Sequence, residues 1–423
     1  MSGQTNIQEV EPEKGDTSSP LSLWQIAKLF AKIGTIGFGG GFAVIALMER
    51  ECVERRRLLR PEEFIHGVAL GQFLGSFAVN TAFFIGYRLR GLAGGLVAIT
   101  SFLFPSVTLV ILLSWIYFRM RTIPQLENLL AAAGPVVIAL IVTAALSLGQ
   151  KTLHSLPRWG IACVAFAVGL WRVSTLTILA VAALLGILLR LGQDASEAED
   201  ALPSESSPPQ PIRLKTSHKD QQRLSANGVI PLAILGATSP SSLVTMGSLL
   251  TCLVVFLKIG FVFFGGGYLL VPLLHEYFVD GYRWLTEREF VDGLAISQLT
   301  PGPIAVLATF VGFHTAGAAG AVIATAALYM PATLLMALLS RSYALLNRYS
   351  AIRDVLGGVT PAVVGLVAES AVTLAPASGV SLSHPAGIAI AIAALILLLR
   401  KVPPALVIAC GIGLGVLFPQ LVQ

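Results

Sequence analysis

The stretch FLKIGFVFFGGGY, Phe256–Tyr268, repeats FAKIGTIGFGGGF, Phe30–Phe42, at an offset of 226 residues. Working outward, the same offset puts Arg57 on Arg283, Glu63 on Glu289, Gln72 on Gln298, Gly86 on Gly312, Pro105 on Pro331 and Pro135 on Pro361. Register kept through glycine, proline, glutamine and charged positions marks two homologous halves. Residues 1–21 read as a polar tail, 22–191 as the first repeat and 229–423 as the second. Between them, residues 192–228 are rich in Ser and Pro and have no apolar face to bury, so they read as a flexible linker.

Composition says what the halves are. Of 423 residues, 55% are apolar and only 12% charged, with a mean hydropathy of +0.79. A soluble domain carries about 25% charged residues. These figures exclude a soluble globular protein, a disordered chain and a disulfide scaffold, and leave an all-α polytopic membrane protein. The net charge of +5 is attributed to basic cytoplasmic loops rather than to nucleic-acid binding. Cys52, Cys163, Cys252 and Cys410 form no CxxC pair and read as apolar fillers. The polar N-terminus lacks the basic and apolar regions of a cleaved signal peptide.

Crossing the hydrocarbon takes about 20 apolar residues as helix. The candidates are 22–48, 64–88, 91–118, 129–149 and 160–190, then 243–275, 290–314, 316–340, 357–376 and 386–421. The last stretch of each half is interrupted, at Trp171–Ser174 and at Arg400–Pro404, and is expected to be a hairpin of two short helices. Ten to twelve membrane segments result. Two segments per half are broken: one at Gly39-Gly40-Gly41 and Gly265-Gly266-Gly267, the other at Gly71–Ser76 and at Pro301-Gly302-Pro303. Such breaks survive in a bilayer only where they are buried in protein or line a water-filled cavity. Paired breaks in two repeats point to a transporter binding site formed by interrupted or re-entrant helices. Five arginines in 49–63 against two in 275–289 suggest opposite sides of the membrane, hence inverted repeats.

The glycine triplets, the element Trp284-Leu285-x-x-x-Glu289-Phe290, the run Gln298-x-x-Pro301-Gly302-Pro303 and Gly86-Tyr87-x-x-x-Gly91-x-x-Gly94 together resemble the chromate ion transporter family, in its long-chain two-repeat form. The resemblance covers nearly everything outside the tail and linker. It implies a multi-pass anion transporter of the bacterial inner membrane, associated with chromate efflux and sometimes with sulfate. Many members have Phe-Gly-Gly-Pro where this chain has a third glycine, and the first half has Gly75-Ser76-Phe77 in place of Pro-Gly-Pro. The first break therefore reads as the softer of the two.

Each candidate site residue has a plainer reading beside it. Gly39, Gly40, Gly41, Gly265, Gly266 and Gly267 either expose N–H groups at half-helix ends, where an oxyanion fits, or let helices pack closely. Pro301, Gly302 and Pro303 either shape an anion cradle or kink a helix. Gln72 and Gln298 are either neutral donors to a dianion or interhelical hydrogen bonders. Lys32 and Lys258 either attract the anion or snorkel to the interface. Glu369 is the candidate coupling acid, since an ionisable group within an apolar segment defaults to function. His residues show no metal spacing, and no cofactor or enzyme signature is present. The expected partners are a small inorganic anion and the lipid bilayer, with a homodimer left open. The expected activity is secondary transport of chromate outward, driven by membrane potential or an ion gradient. The alternatives are a sulfate-like anion or a lipid phosphate as the cargo.

Overall fold

The computed structural model describes residues 21–37, 40–120, 132–189, 242–263, 267–340, 350–381 and 383–417. Gly39, Gly265, Gly266 and the linker lie outside them. Fourteen α-helices account for the described fold, without a strand among them. The first repeat contains α1 (Leu23–Ile36), α2 (Gly40–Glu49), α3 (Pro61–Phe73), α4 (Phe77–Met120), α5 (Ala133–Thr152), α6 (Leu156–Leu170) and α7 (Thr175–Leu188). The second contains α8 (Ser242–Val262), α9 (Leu270–His275), α10 (Glu287–Leu299), α11 (Leu307–Leu339), α12 (Ser350–Leu374), α13 (Pro385–Leu399) and α14 (Pro404–Leu417).

The repeat extends to backbone detail. A π-turn follows α2 at Arg50–Arg55 and α9 at Glu276–Gly281. The long helices α4 and α11 kink at equivalent places, Arg90-Gly91 and Ala316-Gly317, with φ of 60° at both glycines. Arg57 and Arg283 both take a left-handed φ, 50° and 52°.

Local chemistry explains where helices start. Ser22 caps α1 in a reciprocal box with Gln25, and Thr286 caps α10 with Glu289, each cap satisfying backbone donors that a helix end leaves free. The apolar face Ile26, Leu29, Phe30 and Ile33 of α1 is then buried against α4.

The segments 64–88 and 290–314 are not single helices: each folds back as a hairpin, the re-entrant form that the breaks suggested. Helix α3 has 13 residues, about 20 Å at 1.5 Å per residue, short of the ~30 Å hydrocarbon. It folds back against the first half of α4: Thr81 Oγ1 donates to Gly67 O at 3.5 Å, and Glu63 and Arg88 pair at the base. Glycine at position 67 leaves room for the Phe84 ring, and Gly293 does the same for Phe310 in the second repeat. The first segment folds back too. Lys32, near the end of α1, reaches Glu51, just past α2. Each repeat thus begins with two helical hairpins. After its kink, α4 runs on over residues 92–120, about 43 Å. Among the described residues four helices are long and apolar enough to cross a membrane: Phe77–Met120, Ala133–Thr152, Ile304–Leu339 and Asp354–Leu374. The terminal stretches are paired short helices, α6/α7 and α13/α14, as expected.

Those terminal pairs are exchanged between repeats. Helices α6 and α7 pack on α12 of the second repeat, while α13 and α14 pack on α5 of the first. Small residues make the contacts close: Gly186 and Gly358 meet backbone to backbone, as do Gly365 and Ala162. In the middle, α4 packs on α11 and α5 on α12. The outward faces are apolar, with Leu156 88% and Trp171 80% exposed, as lipid contact requires.

Candidate functional site

The four hairpin tips converge where α4 and α11 cross. Gly302 N donates to Gly37 O at 3.1 Å, joining the second hairpin of the second repeat to the first hairpin of the first. Gly75 packs against the carbonyl of Phe263, the reciprocal contact. Ser106 Oγ, on α4, donates to Pro301 O. Gly41 faces the Phe77 ring and Gly267 faces Ile304. The structure brings Gly41, Gly267, Pro301, Gly302 and Pro303 together, because the tips are where the helices break.

Both breaks depend on a glycine with positive φ. Gly75 has φ of 98° and Gly302 of 113°, a region that L side chains rarely enter. The first break is therefore not the softer one. Its glycine is as constrained as the one between the prolines, and a β-carbon there would strike the Phe263 carbonyl.

Polar groups that pattern reasoning missed line the tips. Asn80 is fully buried in the first turn of α4; its Nδ2 donates to Leu74 O at 3.3 Å and its Oδ1 has no hydrogen-bond partner among the described residues. Ser76 N-caps the same turn through its carbonyl, which accepts from Val79 and Asn80 N. Helices α4 and α11 both begin at the tips, so their positive dipole ends, each equivalent to about +0.5 charge, lie at the cluster. A sequence signal for Asn80 was present, a lone amide in an otherwise apolar run, but nothing in that run says that it sits at a helix start.

The other expected residues lie beside the cluster or away from it. Gln298 contacts the Tyr268 hydroxyl, while Gln72 is on the exposed face of α3. Gly40 is the first residue of α2. Lys32 Nζ is 2.8 Å from Glu51 Oε1, and Arg55 and Arg56 share that carboxylate at 3.1 and 3.5 Å. The Lys32 hydrogen bond holds the Glu51 carboxyl below its usual range against the desolvation that opposes it, and Arg55 adds to the effect. Lys258 lies over the Tyr277 ring, 5.2 Å from its centroid. Glu369, on α12, accepts from Thr373 and packs beneath Gly169 of α6, in the exchanged helix cluster rather than at the tips.

The sequence matches the chromate transporter family over residues 24–187 and 250–416, one match per repeat. The chain belongs to that family. Among relatives, the chromate transport protein of Cupriavidus metallidurans is 29% identical over 83% of this chain and 82% of its own length. That of Pseudomonas aeruginosa is 30% identical over 82% and 80%. The probable chromate transport protein of Synechococcus elongatus is 28% identical over 94% and 96%. No solved structure matches. Members of the chromate transporter family are transport proteins, and this chain is a multi-pass membrane transporter, not an enzyme.

Proposed function

We propose that the protein exports chromate, or a similar tetrahedral dianion, across a bacterial inner membrane, and that the hairpin tips bind it. The observation that carries this reading is the meeting of hairpin tips from both repeats at Gly302 and Gly37, with the starts of α4 and α11 beside them. Helix starts attract oxyanions through dipole and free N–H groups without holding a full counter-charge. An anion held that way can also leave. Gly302, Pro301, Pro303, Gly41, Gly267 and Gln298 are the contacting residues on this reading. Lys258 acts from the periphery, while the charge of Lys32 is taken up by Glu51.

Export agrees with the membrane potential. Moving one charge through 100 mV is worth about 2.3 kcal/mol, so a dianion leaving a negative interior gains about 4.6 kcal/mol. Two inverted repeats that rock about one shared site would supply alternating access. Supporting that inversion, Tyr117 and Phe118, at the far end of α4, meet Asp292 and His314 at the base of the second repeat's hairpin. Leu339 and Ser340, at the far end of α11, share a cavity with Arg60 and Arg88 at the base of the first repeat's hairpin.

The test is uptake of radiolabelled chromate by everted vesicles, with sulfate, molybdate and phosphate as competitors. Gly302→Leu, which crowds Ser106, is expected to abolish uptake while the protein remains inserted. Chromate uptake no greater than in empty vesicles would refute the substrate. Full uptake by the Leu variant would refute the site.

A further inference from the structure

Away from the tips, a buried carboxylate lies between the two repeats. Asp292, on α10, is 5% exposed. Its Oδ2 accepts a hydrogen bond from Tyr117 Oη of α4 at 2.9 Å. Its Oδ1 is 3.4 Å from Arg288 Nε, a charge contact without hydrogen-bond geometry, and has no hydrogen-bond partner among the described residues. Arg288 also reaches Ala377 O at 3.4 Å. The Phe118 ring closes over the place, 5.2 Å from Phe310 and 4.8 Å from His314, centroid to centroid. One turn earlier on α4, Ser114 is wholly buried.

The groups acting on Asp292 are Arg288 and Glu289 of its own helix and Tyr117 of α4. Helix α11 adds His314 beyond the Phe118 ring. Helix α14 also packs on α10, and its one titratable side chain, Cys410, is exposed. Helix α5 brings only Lys151, about 26 Å of helix away from Gly134, where α5 meets Ser378.

Three features separate this carboxylate from an ordinary structural ion pair. One oxygen has the Arg288 charge contact but no hydrogen-bond donor among the described residues, so it can take a proton. Its best partner belongs to the other repeat, across the α4–α10 contact that rocking would have to open. The equivalent position in the first repeat is His66, and Glu62 stands where Arg288 stands, so both repeats carry a titratable group here, with the neighbouring charge reversed.

We propose that Asp292 is the proton-binding residue that couples transport to a proton gradient, and that the Tyr117–Asp292 hydrogen bond is the contact its protonation weakens. The inference rests on the transport reading above. A proton delivered by hydronium adds to Oδ1; one O–H bond forms, water is left, and no electrons move. Asp292 becomes neutral, its attraction to Arg288 is lost, and the Tyr117 bond falls from charge-assisted to neutral, about half its strength. The end of α4, with Phe118, is then free to part from the hairpin.

The experiment uses the full chain in proteoliposomes with radiolabelled chromate. Exchange at equal pH and accumulation driven by an imposed pH gradient are measured side by side. Asp292→Asn is expected to keep exchange and to lose accumulation at least tenfold, and Asp292→Glu to restore it. In a background with Cys163 and Cys410 replaced, Ser114→Cys is labelled with an impermeant maleimide at one fixed pH. Adding Asp292→Asn is expected to speed labelling at least fivefold. Accumulation retained by Asp292→Asn, or a wild-type protein indifferent to the pH gradient, would overturn the coupling while leaving transport intact. Loss of both fluxes with unchanged labelling would make Asp292 merely structural and overturn it equally. Absence of flux in the wild type would instead overturn the transport reading.

Discussion

Gly75→Ala tests the tip geometry against a matched control. At Gly75 two penalties combine. The backbone has φ of 98°, and forcing a residue with a β-carbon into a sparsely populated region costs about 1–3 kcal/mol. The new carbon also strikes the Phe263 carbonyl. Backbone cannot move aside as a side chain can, so overpacking adds about 1–3 kcal/mol. The expected total is about 2–6 kcal/mol. Gly91 has φ of 60° and ψ of −153°, a region kept almost wholly for glycine, but open space where a β-carbon would sit, so Gly91→Ala should cost only the backbone penalty, about 1–3 kcal/mol. For a unit the size of one repeat, 1 kcal/mol moves Tm by about 2–4 °C. The apparent Tm of detergent-solubilised protein should therefore fall several degrees further for Gly75→Ala than for Gly91→Ala, and chromate uptake should fall with it. Equal Tm for the two variants would refute the argument that a carbonyl of the other repeat closes on this tip.

Ser106→Ala leaves the buried Pro301 carbonyl without its donor; a loss of about 1–3 kcal/mol should appear in the same melts, and an unchanged Tm would count against that contact. Lys32→Ala should alter the KM for chromate by less than about twofold, because Glu51 already occupies its charge; a large rise in KM would restore it as a substrate group. The carboxyl of Glu51 titrates below its usual value when folded, so its stabilisation is present above the ordinary carboxylate pKa and is lost as pH falls through the lower folded value. Tm should therefore fall less with acidification over that range in Lys32→Ala than in wild type, because the folded and unfolded values of Glu51 then lie closer together. Single cysteines placed in 50–60 and in 276–286 should label from opposite faces of sealed vesicles, and labelling from one face would end the inverted arrangement.

Chain pattern alone determined a good deal here. The 226-residue offset, the scarcity of charge and the doubled breaks at Gly and Pro gave two helical membrane repeats with interrupted helices, because hydrocarbon admits little besides helix and punishes every loose backbone group. The same pattern located the tips, since Gly and Pro mark broken helices wherever they fall. What it left open was direction. A break says that a helix stops, not whether the chain continues across the membrane or turns back, and so 64–88 and 290–314 read as spans. That choice was made by close packing, Gly67 under Phe84 and Gly293 under Phe310, which exists only once both arms are folded. Nor could spacing show that α6/α7 and α13/α14 would be exchanged between repeats, or that Lys32 would be taken up by Glu51. These depend on groups far apart in sequence meeting in space. Asp292 is the clearest case: in sequence it is one acid in the run EREFVDG, and only the approach of Tyr117, 175 residues away, makes it a buried carboxylate shared between the two repeats.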